Sequence, residues 1–388
     1  MATADGAAAP TVLIANPSAD LYGSDRMALE SARGLIAHGY RVVVTCSVDG
    51  PLVQAMRELG ADVRVLPAPV VRKSMLRPLG LLALLAQTAT ALPRMHRLIR
   101  EVRPQLVHAN TVTIPLWTVS GRLSRTPVLV YVHEAEASLR PAARRLLTAP
   151  LRLANGVIYN SETSRRVSPV PALERRRRTR VVTNGVPGPE GVVDPRVEIS
   201  PPLRAVFVGR LSPRKGPDLL IDAAGLLRDE GIDVEVELVG DVFPGYEWYE
   251  SQLRRRAAEL ELEHRIDFGG FQPSVWAALA RADVAVVPSR SDESFGNVVV
   301  EAALSGRPIV VADHSGLREA SSGLDAAIRV PMDDAAAVAD GLRRVRDEWQ
   351  TLRTAAMRDA EYARAHYDPA GFQARLVEAV GRLGHRGR

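Results

Sequence analysis

Short apolar runs separated by helix-length segments recur along most of the chain, at residues 11–15, 40–45, 62–66, 106–109, 128–132 and 157–159. They return at 205–209, 234–241, 266–271, 284–288 and 308–312. Runs that stay apolar, instead of alternating apolar and polar, fit strands covered on both faces. Such strands belong to parallel sheets whose crossovers are helices. The alternation therefore predicts an α/β chain of doubly wound parallel sheets. At 388 residues the chain is long for one domain, and two are expected. Residues 187–202 are rich in Pro and Gly without a period, and read as a linker. The expected layout is a first domain over 1–186, a second over 203–365, and a last segment, 366–388, set off by the break at Tyr367-Asp368-Pro369.

One stretch carries more chemistry than the rest. After the apolar run 284–288 the chain is polar up to Gly296; Asn297 then opens a helical segment closing at Gly306. Glu293 falls in the loop at the strand's carboxyl end, where open α/β sheets bind ligands, and Glu301 about one turn into the helix. Between them, the backbone N–H groups of Phe295, Gly296 and Asn297 form a helix N-terminus suited to a phosphate. Two carboxylates flanking an anion site suit a sugar nucleotide, with hydroxyls at both ends and phosphates between. Taken alone, the spacing favours a plainer reading, a loop charge and a solvated helix residue. A second loop, after 205–209, carries Arg210 and Lys215 ahead of a helix, and both can point at a diphosphate. Lys215 is one of two lysines among 50 basic residues. In the first half, Gly23 lies in a strand–turn–helix unit with Ser24 as expected N-cap, and His133 sits at the tip of the 128–132 strand beside Glu134.

Charge is unevenly spread. Residues 1–185 hold 25 Lys+Arg against 12 Asp+Glu, and 186–388 hold 25 against 33. The basic half suggests an anionic partner, such as a membrane surface or a phosphate-bearing acceptor, with a solvated basic face as the even alternative. Nucleic acid is disfavoured, since only 5% of residues are aromatic and no basic–aromatic interleaving occurs. The single cysteine, Cys46, excludes an internal disulfide and fits a reducing, cytoplasmic compartment. Residues 1–10 show no secretory signal. The most apolar stretch, 75–93, is broken by Arg77, Pro78, Gln87 and Thr88 before the ~20 residues a spanning helix needs. With Arg72, Lys73, Arg94, Arg97, Arg100 and Arg103 around it, the 75–103 segment could lie on a membrane; a crossover helix with a basic face is the favoured reading.

The Glu293–Glu301 spacing, the Arg210–Lys215 loop, the His133-Glu134 pair and the Asn184-Gly185-Val186 turn together resemble the retaining GT-B glycosyltransferases of family 4, also called group 1. The resemblance implies two Rossmann-like domains facing a central cleft, the second binding the donor and the first the acceptor. It implies transfer of a glycosyl group from a nucleoside diphosphate sugar, with retention of configuration. His133 would contact the transferred sugar, Arg210 and Lys215 would stabilise the departing diphosphate, and Glu293 and Glu301 would accept from sugar and ribose hydroxyls. Gly23, Gly240, Phe271, Ser294, Phe295, Gly296, Asn297 and Val298 would complete the donor site, and Asn110 and Glu134 would face the acceptor. The family often carries a glycine pair where this chain has Tyr22-Gly23-Ser24. The last helix would cross back to the first domain.

No Asp-x-Asp occurs, and no clustered His/Cys set, so neither a metal nor another cofactor is expected; the cations and the helix N-terminus would supply the positive field. A two-carboxylate retaining hydrolase needs its acids ~5 Å apart; here the glutamates read as donor clamps, and front-face attack by the acceptor is expected. Rival readings are a GT-B epimerase or phosphorylase, and a non-catalytic sugar-nucleotide binding protein. The basic half favours a lipid-linked acceptor, cell-surface polysaccharide synthesis, and a place on the inner face of the membrane.

Overall fold

The first sheet has seven strands: β1 (Thr11–Asn16), β2 (Arg41–Cys46), β3 (Asp62–Val65), β4 (Leu106–Ala109), β5 (Val128–Val132), β6 (Gly156–Tyr159) and β7 (Thr179–Val181). The second has six: β8 (Leu203–Val208), β9 (Val234–Val239), β10 (Ile266–Gly270), β11 (Val284–Val287), β12 (Ile309–Ala312) and β13 (Ala327–Val330). Their orders are β3-β2-β1-β4-β5-β6-β7 and β10-β9-β8-β11-β12-β13, and every pairing is parallel. In both, the strand order reverses beside the first strand, so the carboxyl ends of β1 and β4, and of β8 and β11, border a switch point where ligands bind. The computed structural model describes residues 9–71, 78–243 and 245–384. It divides the chain into one unit of Met1–Gly185 with Pro369–Arg388, and another of Val186–Asp368.

Burial on both faces explains the apolar runs. Val12 and Ile14 of β1 pack with Met27, Leu35, Phe372 and Leu376, whereas Leu13 and Ala15 pack with Met95, Ile99 and Trp117. Fully burying such side chains contributes about 1.5–3 kcal/mol each. The last helix, Pro369–Gly384, lies against the Gly23–Ala37 helix, and Gln373 donates to Glu30 at 2.8 Å. Cys46 is a buried core residue whose thiol is pushed up to about 12, first by burial and then by nearby Asp25 and Asp49.

Several local expectations are corrected. The first helix begins at Gly23, with Tyr22 rather than Ser24 in the capping position and no side-chain cap bond. Residues 187–202 form no regular element, yet they are pinned to the second unit. Arg196 pairs with buried Asp283, and the wholly buried Arg307 donates to the carbonyls of Leu279, Ala280, Ala282, Ser305 and Val193. The helical tail is two helices, Ala335–Asp347 and Trp349–His366. Of the basic amphipathic segment, Arg72, Lys73, Met75 and Arg77 lie outside the described residues; the rest is one helix, Pro78–Val102, with Pro93 inside it. Among the described residues no helix is long and apolar enough to cross a membrane.

Candidate active site

The sequence-predicted residues collect at strand carboxyl ends, in two clusters, one in each unit. In the second unit, Glu293 follows β11 and is the centre of a charged knot. Its Oε1 lies 2.7 Å from Lys215 Nζ and 3.0 Å from Arg214, and accepts from Ser289 Oγ at 3.2 Å. Burial alone would raise the Glu293 carboxyl, but the Lys215 and Arg214 charges outweigh it and hold the group below the usual carboxylate range. Burial lowers Lys215, and Glu293 partly offsets this. Arg210, on the same loop, lays its guanidinium over the Phe243 ring, 3.2 Å from the centroid, and its charge also reaches Lys215. Arg214 and Phe243 were missed in the sequence, although Arg214 is adjacent to Lys215.

The Glu293 loop is held from behind. Its carbonyl accepts from Ser315 Oγ and Gly316 N, both at 2.8 Å, while His314 Nε2 meets the Ser289 carbonyl at 2.7 Å. A Cβ on Gly316 would stand 2.5 Å from the Ser294 carbonyl atoms, so only glycine lets the two backbones touch. Gly296 is the N-cap of the Asn297–Leu304 helix, in a left-handed conformation and without a side-chain cap; the first amides, of Asn297 and Val298, have no intrahelical acceptor. Phe295 turns its ring into the core against Tyr367, leaving its backbone for a ligand. Glu301, only 5% exposed, is no solvated helix residue. Gly240 ends β9 at φ +143°, and a Cβ there would fall 1.9 Å from the Gly209 carbonyl oxygen. Phe271 remains exposed just past β10, and Ser294 and Val298 are half-buried.

In the first unit, Asn16, Asn110 and His133 lie at the ends of β1, β4 and β5. His133 Nε2 is 3.1 Å from Asn110 Oδ1, and its ring packs on Tyr131 with centroids 4.0 Å apart. Burial, and then His108, pull the His133 imidazole down to about 3, so it is neutral at physiological pH. Glu134 accepts from Thr111 Oγ1 and from the His133 N–H at 3.0 Å. Burial dominates these bonds and raises its carboxyl to about 7. Asn110, expected to face the acceptor, is completely buried, and its amide is spent on Asn16, Ser24 and His133. Gly23 opens the first helix beside this cluster, one residue before Ser24, whose carbonyl accepts from Asn110. Among the described residues, no group of three His, Cys, Asp or Glu side chains is arranged to hold a metal ion.

Comparisons with known proteins agree across both units. A profile of the glycosyl transferases group 1 matches residues 195–364, and one of glycosyltransferase family 4 matches residues 22–188. The chain is 35% identical to a D-inositol 3-phosphate glycosyltransferase of Nocardia farcinica over 161 residues, 40% of this chain and 36% of that protein. It therefore spans little more than a third of that relative's length. It is 27% identical over 318 residues to the phosphatidyl-myo-inositol mannosyltransferase of Mycobacterium leprae, 75% of this chain and 80% of that protein. Among solved structures, Anabaena Alr3699/HepE in complex with UDP and glucose aligns at a TM-score of 0.78 and 23% identity, over 95% of this chain and 99% of that one. A sucrose-phosphate synthase of Thermosynechococcus elongatus aligns at 0.74 and 19%, over 97% and 100%. At these identities the structures establish the GT-B fold.

Proposed function

The chain belongs to the group 1 glycosyltransferases, and from that premise we propose that it moves a glycosyl group from a nucleoside diphosphate sugar to an acceptor hydroxyl, retaining the anomeric configuration and using no metal. The Lys215–Glu293–Arg214 knot carries this reading. It puts two cations and a carboxylate beside an open helix N-terminus, the combination that a diphosphate joined to a polyhydroxylated ring requires. Charge developing on the leaving diphosphate meets fixed cations, which is the work a metal does in other transferases. His133, neutral, can hydrogen-bond a sugar hydroxyl. The solved complexes of Anabaena HepE with UDP-glucose support a nucleotide-sugar donor of that type.

For the acceptor we favour a phosphate-bearing, lipid-linked molecule at the inner face of a membrane. The names of the inositol-phosphate and phosphatidylinositol relatives support this class, as does the arginine excess of residues 1–185. Leu82, Leu85 and Leu146 are also 64%, 65% and 67% exposed on helices of the first unit, apolar contacts of the kind a peripheral protein presents to lipid. The first experiment is thermal unfolding with UDP-, GDP-, TDP- and ADP-sugars, with and without EDTA. A ligand at 100 times its Kd stabilises the native state by about 2.7 kcal/mol. One selective, EDTA-insensitive shift is expected; no shift with any donor overturns the reading, and a shift without turnover on any phosphorylated acceptor leaves a binding protein.

A further inference from the structure

The hydrogen-bond chain behind His133 runs in one direction only. Asn16 Nδ2 is 2.9 Å from the Ser18 carbonyl and 2.8 Å from Asp25 Oδ1. Both are acceptors, so the Asn16 amide must turn its NH2 towards them and its oxygen towards Asn110. Asn110 Nδ2 then lies 2.8 Å from Asn16 Oδ1 and 2.9 Å from the Ser24 carbonyl, again two acceptors. Reversing either amide would press oxygen against oxygen in a site where Asn16, Asp25 and Asn110 are at most 2% exposed, a penalty no water can relieve. Asn110 therefore presents its oxygen to His133 Nε2 at 3.1 Å, and an oxygen there requires Nε2 to carry the proton. Nδ1 makes no hydrogen bond within the protein and is not among its buried unpaired atoms.

We propose that Asp25, Asn16 and Asn110 are positioning residues that hold His133 as its Nε2–H tautomer, leaving the Nδ1 lone pair as the group a substrate hydroxyl meets. The tautomer follows from the geometry alone; its use on a sugar hydroxyl rests on the transfer reaction proposed above. The arrangement makes His133 an acceptor and denies it a donor role. A substrate in which the facing hydroxyl is replaced by fluorine or methoxy, which cannot donate, should bind less well than its deoxy counterpart. Asp25 and Ser18 complete the chain at its far end, Ser18 Oγ donating to Asp25 Oδ1 at 2.5 Å.

The test uses the free full-length protein labelled with 15N-histidine, so it does not depend on any substrate. The His133 signal is assigned by its loss in His133→Gln. A pyrrole-type Nε2 and a pyridine-type Nδ1 are expected at neutral pH; the opposite pattern, or averaged signals, overturns the proposal. Asn110→Leu removes the acceptor and should yield averaged, mixed-tautomer signals with far-UV circular dichroism unchanged, whereas unchanged imidazole signals would mean that Asn110 does not set the tautomer. Asn110→Asp keeps an oxygen facing Nε2 and should restore the single tautomer while raising the imidazole's titration midpoint, an effect that a purely structural role would not produce. If Asn110→Leu fails to fold, the Asn110→Asp and wild-type spectra decide the matter. Once a donor and acceptor are known, Asn110→Leu should lower kcat/KM by about tenfold through the mispositioned ring. A failed tautomer test leaves the transfer reaction standing, and a failed donor screen leaves the tautomer standing.

Discussion

Replacing Glu293 by Gln removes a single charge from the knot, and the geometry sets what should follow. Oε1 serves Lys215 at 2.7 Å and Arg214 at 3.0 Å. At an effective dielectric of ~20 the closer pair is worth about 6 kcal/mol before desolvation is charged against it. Arg214, half exposed, contributes little after screening. Lys215 and Glu293 are only 20% and 12% exposed. Orphaning one member of a fully buried pair costs about 3–5 kcal/mol, so here about 2 kcal/mol is expected for Glu293→Gln. Lys215→Met should cost about half that, because Oε1 keeps Arg214 and Ser289 while Lys215 has no second carboxylate. The double variant should be more stable than Glu293→Gln alone. Urea unfolding by tryptophan fluorescence in a Trp117→Phe background reads the second unit through Trp248, Trp276 and Trp349. The ligand response should split as well. Glu293→Gln frees cations for a bare nucleoside diphosphate, whose affinity should hold or rise, while the preference for the sugar-bearing donor falls about tenfold with the lost charged acceptor. A Glu293→Gln protein no less stable than Lys215→Met, with donor preference intact, would refute the reasoning.

Gly240→Ala should destabilise the second unit by about 1–3 kcal/mol and abolish any donor-induced thermal shift, because the new methyl has only the Gly209 backbone to displace; a wild-type shift would count against that close approach. His108 is fully buried, and burial pulls its imidazole from 6.5 to about 4. Its stabilising contribution is therefore complete above pH 6.5 and lost as pH falls through about 4, and His108→Leu should flatten the acid limb of stability by about 3 kcal/mol. Glu134 has the opposite sign: with its carboxyl raised from 4.5 to about 7, the protonated form is favoured in the fold, so stability declines as pH rises from 4.5 to about 7, and Glu134→Gln removes that slope. A side-chain 13C titration of Glu134 with a midpoint near 4.5 would contradict the burial seen here.

What could be read in the sequence was whatever a local pattern encodes. Apolar runs declared the parallel strands because both faces of each sheet are covered. The edge strand β13 escaped notice, for it spans only four residues and carries the exposed Arg329 between apolar neighbours. Lys215 and Glu293 were both recognised, each from its own loop, but as separate contacts to a ligand; that they bind each other across 78 positions is a property of the fold. The Gly316 clamp was equally hidden, because nothing near that glycine says that the Glu293 loop will touch it. Asn16 and Asn110 are 94 positions apart, and a lone asparagine after a strand resembles any loop entry. Only the sheet order, with β1 beside β4 and β4 beside β5, brings them to His133.

Net charge misled where local placement decides. Residues 1–185 carry the arginine excess, yet the cluster at the strand tips of the first unit is made of Asp25, Glu134, a neutral imidazole, amides and hydroxyls, and its printed bonds are to neutral or acidic groups. The acidic second half instead brings Arg210, Arg214 and Lys215 to the ends of its strands. Electrostatic attraction over a few ångströms outweighs a screened surplus spread over a surface tens of ångströms wide, since the Debye length at physiological salt is ≈ 8 Å. A diphosphate should accordingly bind the unit with the negative net charge. The first unit's surplus can act on a partner only where the arginines stand, on its helices, and that is why an anionic membrane is better matched to them than a small anion at the His133 cluster. Binding of the protein to anionic vesicles should fall steeply with added salt, while donor binding at the compact Lys215 knot should weaken far less.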